Sequence, residues 1–399
     1  MKKHSFNNLL LKYMAQKNVT VEQTLKGIES RGQTLSKTAL INWRTGKNKP
    51  HSRHRDLVLA CANILGLSKK ETNDLLEAAG FEPEEYAFIK NLFSELYRYR
   101  TVLLLTQIDW GQPPYNEVPN ILLDYAKKIY GTNNVLHITP PVSLSIDINK
   151  YFFRLGQQCD LTEVDDDESF EFALETRLEQ TEQLFLLVSH FEQGAEAPRE
   201  QLAHIIRGIS DRFPSFHVIL CGGEQLADLK YQNGAMSLLN NAEVKHWPEL
   251  TGSDVYALSH HYDVSLDNEN IVNEFLAISG ADPKLLGECL ILKKQSPDLP
   301  LEKYPEKLSQ SSYVYGLFTP LVQDQTTRRK MRNWLNREEV GKAEPYIMDN
   351  VLRKLYWKNL LVERNEYLYW RCEAMRIAGK NIIGNDNQSS STVQYFSST

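Results

Sequence analysis

The chain has 399 residues, 42% of them apolar and 24% charged, and carries a formal net charge of −6. That length exceeds what one hydrophobic core usually organises, so two or three domains are expected. No apolar run approaches the ~18 residues of a membrane span, and Met1 to His4, followed by Asn7 and Asn8, lacks the apolar stretch of a secretory signal, so a cytoplasmic chain with no membrane partner is expected.

The net charge hides an asymmetry. Residues 1–100 hold 17 basic and 10 acidic side chains, a net +7, whereas residues 101–327 sum to −18 and residues 328–380 to +6. In the first 55 residues only Glu22 and Glu29 oppose twelve basic side chains, the footprint of a surface that faces phosphates. The five cysteines, Cys61, Cys159, Cys221, Cys289 and Cys372, form no CxxC pair and read as buried thiols rather than disulfides or metal ligands.

Along the chain, Leu9, Leu10, Tyr13 and Met14 recur at helical spacing within Phe6 to Lys17 and predict a first helix. Thr20 with Gln23 has the form of a capping box and opens a second, which Gly32 stops. A third starts at Ser36, with Ala39, Leu40 and Trp43 on its packed side, and ends at Gly46 before Pro50. A fourth covers Ser52 to Leu65, and Ser68 with Glu71 opens a fifth that closes at Gly80. Lys69 and Lys70, at the start of that helix, are expected in solvent. An amphipathic helix from Glu84 to Arg100 follows.

Short β-rich runs then alternate with helical patterns. Strands are expected at Thr101 to Thr106, Asn134 to Ile138, Leu184 to Val188 and His217 to Cys221, with helices between them, the order of a parallel sheet covered on both faces. After Leu250 three helices are predicted, at Asp254 to Tyr262, Asn268 to Ser279 and Pro283 to Lys294. Beyond Pro297, Pro300 and Pro305, helices at Ser311 to Val322, Thr326 to Asn336 and Tyr346 to Asn359 precede a hairpin turning at Asn365 and Glu366, which describes a winged helix. The tail is rich in Ser, Asn and Gln and is expected to be disordered.

The stretch from Leu35 through Trp43-Arg-Thr-Gly-Lys47 to Pro50, with Leu65-Gly-Leu-Ser68 and Ala78-Ala-Gly-Phe81, resembles the phage-repressor-like (XRE-type) helix-turn-helix family. The resemblance implies a double-stranded DNA partner, with the third helix in the major groove and Ser36, Lys37, Thr38 and Asn42 facing base edges. Arg44, Lys47, Lys49 and Arg53 would hold phosphates, which positions the module without reading sequence. Trp43 is expected in the core.

In the middle segment, a phosphate loop of the form GxxxxGK[ST] would join the first strand to the next helix, but Gln107-Ile-Asp-Trp-Gly-Gln-Pro-Pro-Tyr115 has no lysine and no Ser or Thr for magnesium. Asp109, Trp110 and Gly111 occupy that loop. Ser189 and His190 follow the Leu184 to Val188 strand where carboxylates are expected, and Glu192 is one turn late. Even so, Phe216 to Glu224, Trp247-Pro-Glu-Leu250 and Ser279-Gly-Ala-Asp-Pro-Lys-Leu-Leu286 resemble the later strands and lid helix of AAA-like and STAND-type signalling ATPases. Taken with the missing loop residues, this implies a degenerate P-loop NTPase-like core that is not an enzyme, with no catalytic or metal residues and no cofactor. His260 and His261 lack any metal or hydrolase motif and read as surface or loop histidines, as does His190.

Met348 to Arg371 resembles the winged-helix cap that often trails AAA-like modules. Arg353, Lys354, Lys358 and Arg364 could reach a second stretch of phosphate. Equally, the helix packs on the lid with Tyr356, Trp357 and Trp370 as its core.

The expected architecture is multidomain and mainly α, with a central α/β parallel-sheet domain. The divisions are a helix-turn-helix bundle at 1–83, a connecting helix at 84–100, the ATPase-like domain at 101–250, a helical lid at 251–300, a winged helix at 301–382 and a disordered tail at 383–399. The functional expectation is a DNA-binding regulatory or architectural protein of mobile-element or anti-phage machinery. Its inactive core would serve as a platform for a protein partner or a second copy. The alternatives are a divergent but active STAND- or AAA-type signalling ATPase and a protein-binding adaptor subunit.

Overall fold

The computed structural model of the chain describes residues 5–30, 33–83, 85–105, 115–231, 237–266, 268–344 and 349–384. It is mainly helical around a central parallel α/β sheet, and it divides into two compact units, residues 82–248 and residues 1–81 with 249–399.

In the first of these, α6 (Tyr86–Tyr99) leads into β1 (Thr101–Leu105), α7 (Val118–Tyr130), β2 (Val135–Ile138), α8 (Ile148–Gln158), α9 (Asp167–Glu179) and β3 (Leu184–Val188). Then come α10 (Glu196–Arg212), β4 (Phe216–Gly222), α11 (Glu224–Tyr231) and β5 (Glu243–His246). All five strands are parallel, in the order β2-β3-β4-β1-β5. β1, β3 and β4, apolar apart from Thr101 and His217, are buried at every position, as strands covered on both faces must be.

Phe152, Leu155, Phe170 and Ile206 from the helices pack with Leu186 and Val218 of the sheet. Among the aromatic side chains, Phe93 of α6 and Tyr130 of α7 both stack on Phe185 at 5.3 Å. Each buried aromatic of this kind stabilises by roughly 1.5–3 kcal/mol through the area it removes from water. No apolar periodicity in the sequence marks β5 or α11. β5 reads Glu-Val-Lys-His, is only partly buried and pairs with β1 alone, so an edge strand leaves no apolar run to detect.

The second unit begins with α1 (Phe6–Gln16), α2 (Val21–Ser30), α3 (Lys37–Thr45), α4 (Arg55–Ile64) and α5 (Lys69–Ala79) around Leu10, Ile28, Leu40, Val58 and Leu75. Their boundaries follow local chemistry. Thr20 and Gln23 exchange hydrogen bonds of 2.8 and 3.2 Å, Ser68 and Glu71 do the same at 3.0 and 3.3 Å, and Gly46 closes α3 with a left-handed φ of 73°. Trp43 is buried, edge-on to Phe6 at 6.1 Å.

The same unit continues with α12 (Gly252–His261), α13 (Glu269–Ser279), α14 (Pro283–Gln295), α15 (Tyr304–Leu308), α16 (Ser312–Phe318) and α17 (Gln325–Trp334). An antiparallel sheet of order β6-β8-β7 is formed by β6 (Glu339–Lys342), β7 (Leu361–Arg364) and β8 (Tyr367–Trp370), with α18 (Asn350–Trp357) before the hairpin and α19 (Glu373–Gly384) after it. The hairpin turns at Asn365 and Glu366, both at positive φ, the geometry that matches strand twist. Only one described helix lies between β6 and β7, and α19 replaces the start of the expected tail. Tyr356, Trp357 and Trp370 are buried. Asp282, at the start of α14, ties these helices together by accepting from the Tyr313 hydroxyl at 2.9 Å and the Asn359 amide at 3.1 Å.

One sequence expectation reverses outright. Lys69 is not in solvent: its Nζ lies 3.0 Å from the Asp254 carboxylate of α12, with the two side chains 6% and 5% exposed. Asp254 also accepts from the Thr251 amide at 2.8 Å and hydroxyl at 2.9 Å. Nearby, the His260 imidazole Nε2 is 3.0 Å from the Asn63 carbonyl. The five-helix module is thereby fastened to α12. All five cysteines are buried thiols, and among the described residues no helix is long and apolar enough to cross a membrane.

Candidate functional site

In an open parallel sheet, ligands bind in the crevice outside the carboxyl ends of the strands, where neighbouring connections diverge. Here β1 sits between β4 and β5, while the chain leaving β1 must travel to β2 at the far edge. Leu105, the last residue of β1, is in register with Gly222, the last of β4. This pairs the exit of β1 with the Gly222-Gly223 turn.

Glu192 is delivered to that turn. His190 has a left-handed φ of 55°, after which the Phe191 amide bonds the Cys221 carbonyl at 2.9 Å and its ring enters the core. The Glu192 Oε1 then accepts from the amides of Gly223 at 2.8 Å, Gln225 at 2.6 Å and Leu226 at 3.4 Å, capping α11. Arg199, itself buried, holds the Glu192 carbonyl at 3.1 Å. Burial pushes the Glu192 carboxyl up, against the pull of those three amides. Gly222 is the residue that permits the approach, since a Cβ there would meet the Glu192 Cγ at 3.1 Å. Sequence spacing alone undervalues Glu192, because its position comes from the kink at His190 and the register of β1 with β4.

Ser189 and His190, singled out from sequence, do different things. The Ser189 hydroxyl is 1% exposed and lies 2.8 Å from both the His137 Nε2 and the Thr139 hydroxyl, between β3 and β2. Burial, with the charges of His190 and Lys127, pushes His137 down, so a neutral imidazole stands beside the hydroxyl. Asp109, Trp110 and Gly111 lie outside the described residues.

On the amino-terminal module, Ser36, Lys37 and Thr38 are exposed, as are Lys47, Lys49 and Arg53, while Asn42 and Arg44 are half-buried. Ser36 caps α3, accepting from the Ala39 amide at 3.1 Å. Lys37 pairs with Glu22 at 2.7 Å on the surface, which holds the Glu22 carboxyl below its ordinary range. A hollow of about 580 Å³ is lined by Lys37, Ile41, Arg44 and Thr45 of α3 together with the ends of α1 and α2. Ile41, 40% exposed, adds an apolar side chain to this face, which the helical pattern of α3 does not mark. Of the carboxy-terminal cations, Lys354 and Arg364 are exposed and Arg353 and Lys358 half-buried. Arg353 donates to Asn350 at 2.5 Å, and Arg364 stands at the hairpin between Glu363 and Glu366.

No family model matches the sequence, and neither does a curated protein. Solved structures similar to the chain include the Walker-type ATPase paby2304 of Pyrococcus abyssi, 12% identical, covering 74% of this chain and 95% of that one with a TM-score of 0.48. Cdc6p from Pyrobaculum aerophilum is 13% identical over 76% and 95%, with a TM-score of 0.36. The Drosophila ORC bound to AT-rich DNA and Cdc6 is 10% identical over 74% and 90%, with a TM-score of 0.30. The expectation that the chain is not an enzyme is withdrawn. It had rested on side chains at motif spacing and had set Glu192 aside as one turn late, whereas the fold carries that carboxylate to the exit of β1 from outside that spacing.

Proposed function

We propose that the chain is a divergent AAA- or STAND-type signalling ATPase, with its nucleotide site at the carboxyl edge of the sheet. The observation that carries this reading is the delivery of the Glu192 carboxylate to the Gly222-Gly223 turn beside the end of β1. Mg²⁺ at phosphate sites takes one or two carboxylates and fills its remaining positions with water and phosphate oxygens. Glu192 fits that demand in part: Oε1 is committed to three amides, whereas Oε2 makes no hydrogen bond among the described residues. A bound ion would neutralise charge on the phosphates. The raised carboxyl of Glu192, held by the amides of Gly223, Gln225 and Leu226 while Arg199 fixes its backbone carbonyl, would orient a water or accept its proton.

A second element of the reading is duplex DNA as the partner of the amino-terminal module. The exposed cations Lys37, Lys47, Lys49 and Arg53 support it, because phosphate contacts need positive side chains on an open surface.

The ATPase reading is tested by measuring phosphate release and thermal unfolding with Mg·ATP. Saturating nucleotide, at about 100 times its Kd, stabilises by about 2.7 kcal/mol. Wild type is expected to release phosphate and melt higher with nucleotide. Glu192→Gln keeps the thermal shift and loses turnover by about 100-fold or more. A wild-type chain with neither a shift nor phosphate release contradicts the reading.

A further inference from the structure

The residues from Gln325 to Arg337 contain five basic side chains and no acid. Most of them form α17, opened by Asp324, whose carboxylate accepts from the Thr326 amide at 3.3 Å and the Thr327 amide at 2.8 Å. Met331 is the buried anchor, with Trp334 half-buried on the same side.

The cations divide by role. Lys330 pairs with Asp349 at the start of α18, and the Arg328 guanidinium donates to the Val322 carbonyl. Arg329, Arg332 and Arg337 are exposed, and among the described residues their side chains make no ion pair. Arg328 with Arg332 and Arg329 with Arg332 stand four and three residues apart, where like charges each destabilise a helix by roughly 0.2–0.5 kcal/mol. The charge therefore works against the fold of α17 rather than for it. Lys354 of α18 lies close enough to Asp324 to lower its carboxyl further, so the positive surface extends onto a second helix.

We propose that the outer face of α17, through Arg329 and Arg332, together with Arg337 just past its end, binds the phosphate backbone of nucleic acid, a contact separate from that of α3. This rests on the reading of duplex DNA as partner. A phosphate backbone is favoured over an acidic polypeptide because protein interfaces are built on a desolvated apolar centre. Among the described residues from Gln325 to Glu344, no large apolar side chain is exposed. A phosphate backbone asks only for cations, and the guanidinium fork matches its oxygens.

The test uses the full chain and a long DNA duplex, with affinity measured by fluorescence anisotropy across a salt series. Each phosphate contact contributes roughly 0.9 to the slope of log affinity against log salt. The triple variant Arg329→Gln, Arg332→Gln, Arg337→Gln is expected to flatten the slope by roughly 2–3 and to weaken binding at low salt. The matching triple Lys variant, which keeps the charge, retains the wild-type slope. Should the Gln triple melt early, Arg332→Gln alone is expected to flatten the slope by roughly 1. A slope unchanged in the folded Gln variants, while α3 variants still lose binding, overturns the α17 contact and leaves the α3 reading standing. A wild-type chain that does not bind duplex at all overturns both.

Discussion

Replacing Lys69 with Met removes one partner of a pair that the fold has taken almost wholly out of water. The Asp254 carboxylate is 5% exposed, and with the ammonium gone it keeps, among the described residues, the Thr251 amide and hydroxyl. Stranding one charge of a buried pair typically costs about 3–5 kcal/mol. Because two donors remain, the lower end applies, about 3 kcal/mol. The loss should appear as an earlier unfolding transition in urea, followed by tryptophan fluorescence, since Trp43, Trp334, Trp357 and Trp370 all belong to this unit. Adding Asp254→Asn to Lys69→Met removes the stranded charge while an amide oxygen can still accept from Thr251. The double variant should therefore regain most of the loss. A Lys69→Met protein within about 0.5 kcal/mol of wild type, the behaviour of a solvated surface lysine, would refute this reasoning.

Three further outcomes are expected. His217, buried 2.8 Å from the Tyr130 hydroxyl, is pushed down to about 4, by burial first and the Arg100 charge second. The unfolded imidazole takes up a proton near pH 6.5 and the folded one does not, so its contribution is intact above that pH. It drains by about 3 kcal/mol as the pH falls towards 4. His217→Gln should lose less stability than wild type between pH 7 and 4.5 in urea titrations, and parallel profiles would reject the assignment. Gly280 has a φ of +61°, and a Cβ there would collide with the Arg371 carbonyl. Gly280→Ala should thus cost more than the ~1 kcal/mol of left-handed strain alone, read as a lowered melting temperature. Changing Lys37, Asn42 and Arg44 together to Ala should abolish duplex binding, whereas retained affinity with an unchanged salt dependence rejects α3 as the reader.

How much of this was legible in the sequence depended on whether the signal was local. The apolar runs of β1, β3 and β4 and the reciprocal caps at Thr20 and Ser68 are written in neighbouring residues, and the structure repeats them. β5, β6 and α11 escape notice because short elements with mixed polarity leave no periodic run. Lys69 is misread for a different reason: its partner is 185 residues away, and a lysine at a helix start has no local feature to predict burial. Glu192 is likewise a tertiary result, since only the pairing of Leu105 with Gly222 gives meaning to a carboxylate two residues past His190. The loop at Asp109 to Gly111 was read for what it lacks, and that absence alone did not decide whether the chain acts on nucleotide.

The most direct measurement is amide hydrogen exchange of the full chain with and without saturating Mg·ATP. With nucleotide at the carboxyl edge of the sheet, the amides from Gly222 to Leu226 and at the start of α7 should exchange more slowly. Identical exchange at those amides in the two conditions would contradict the account.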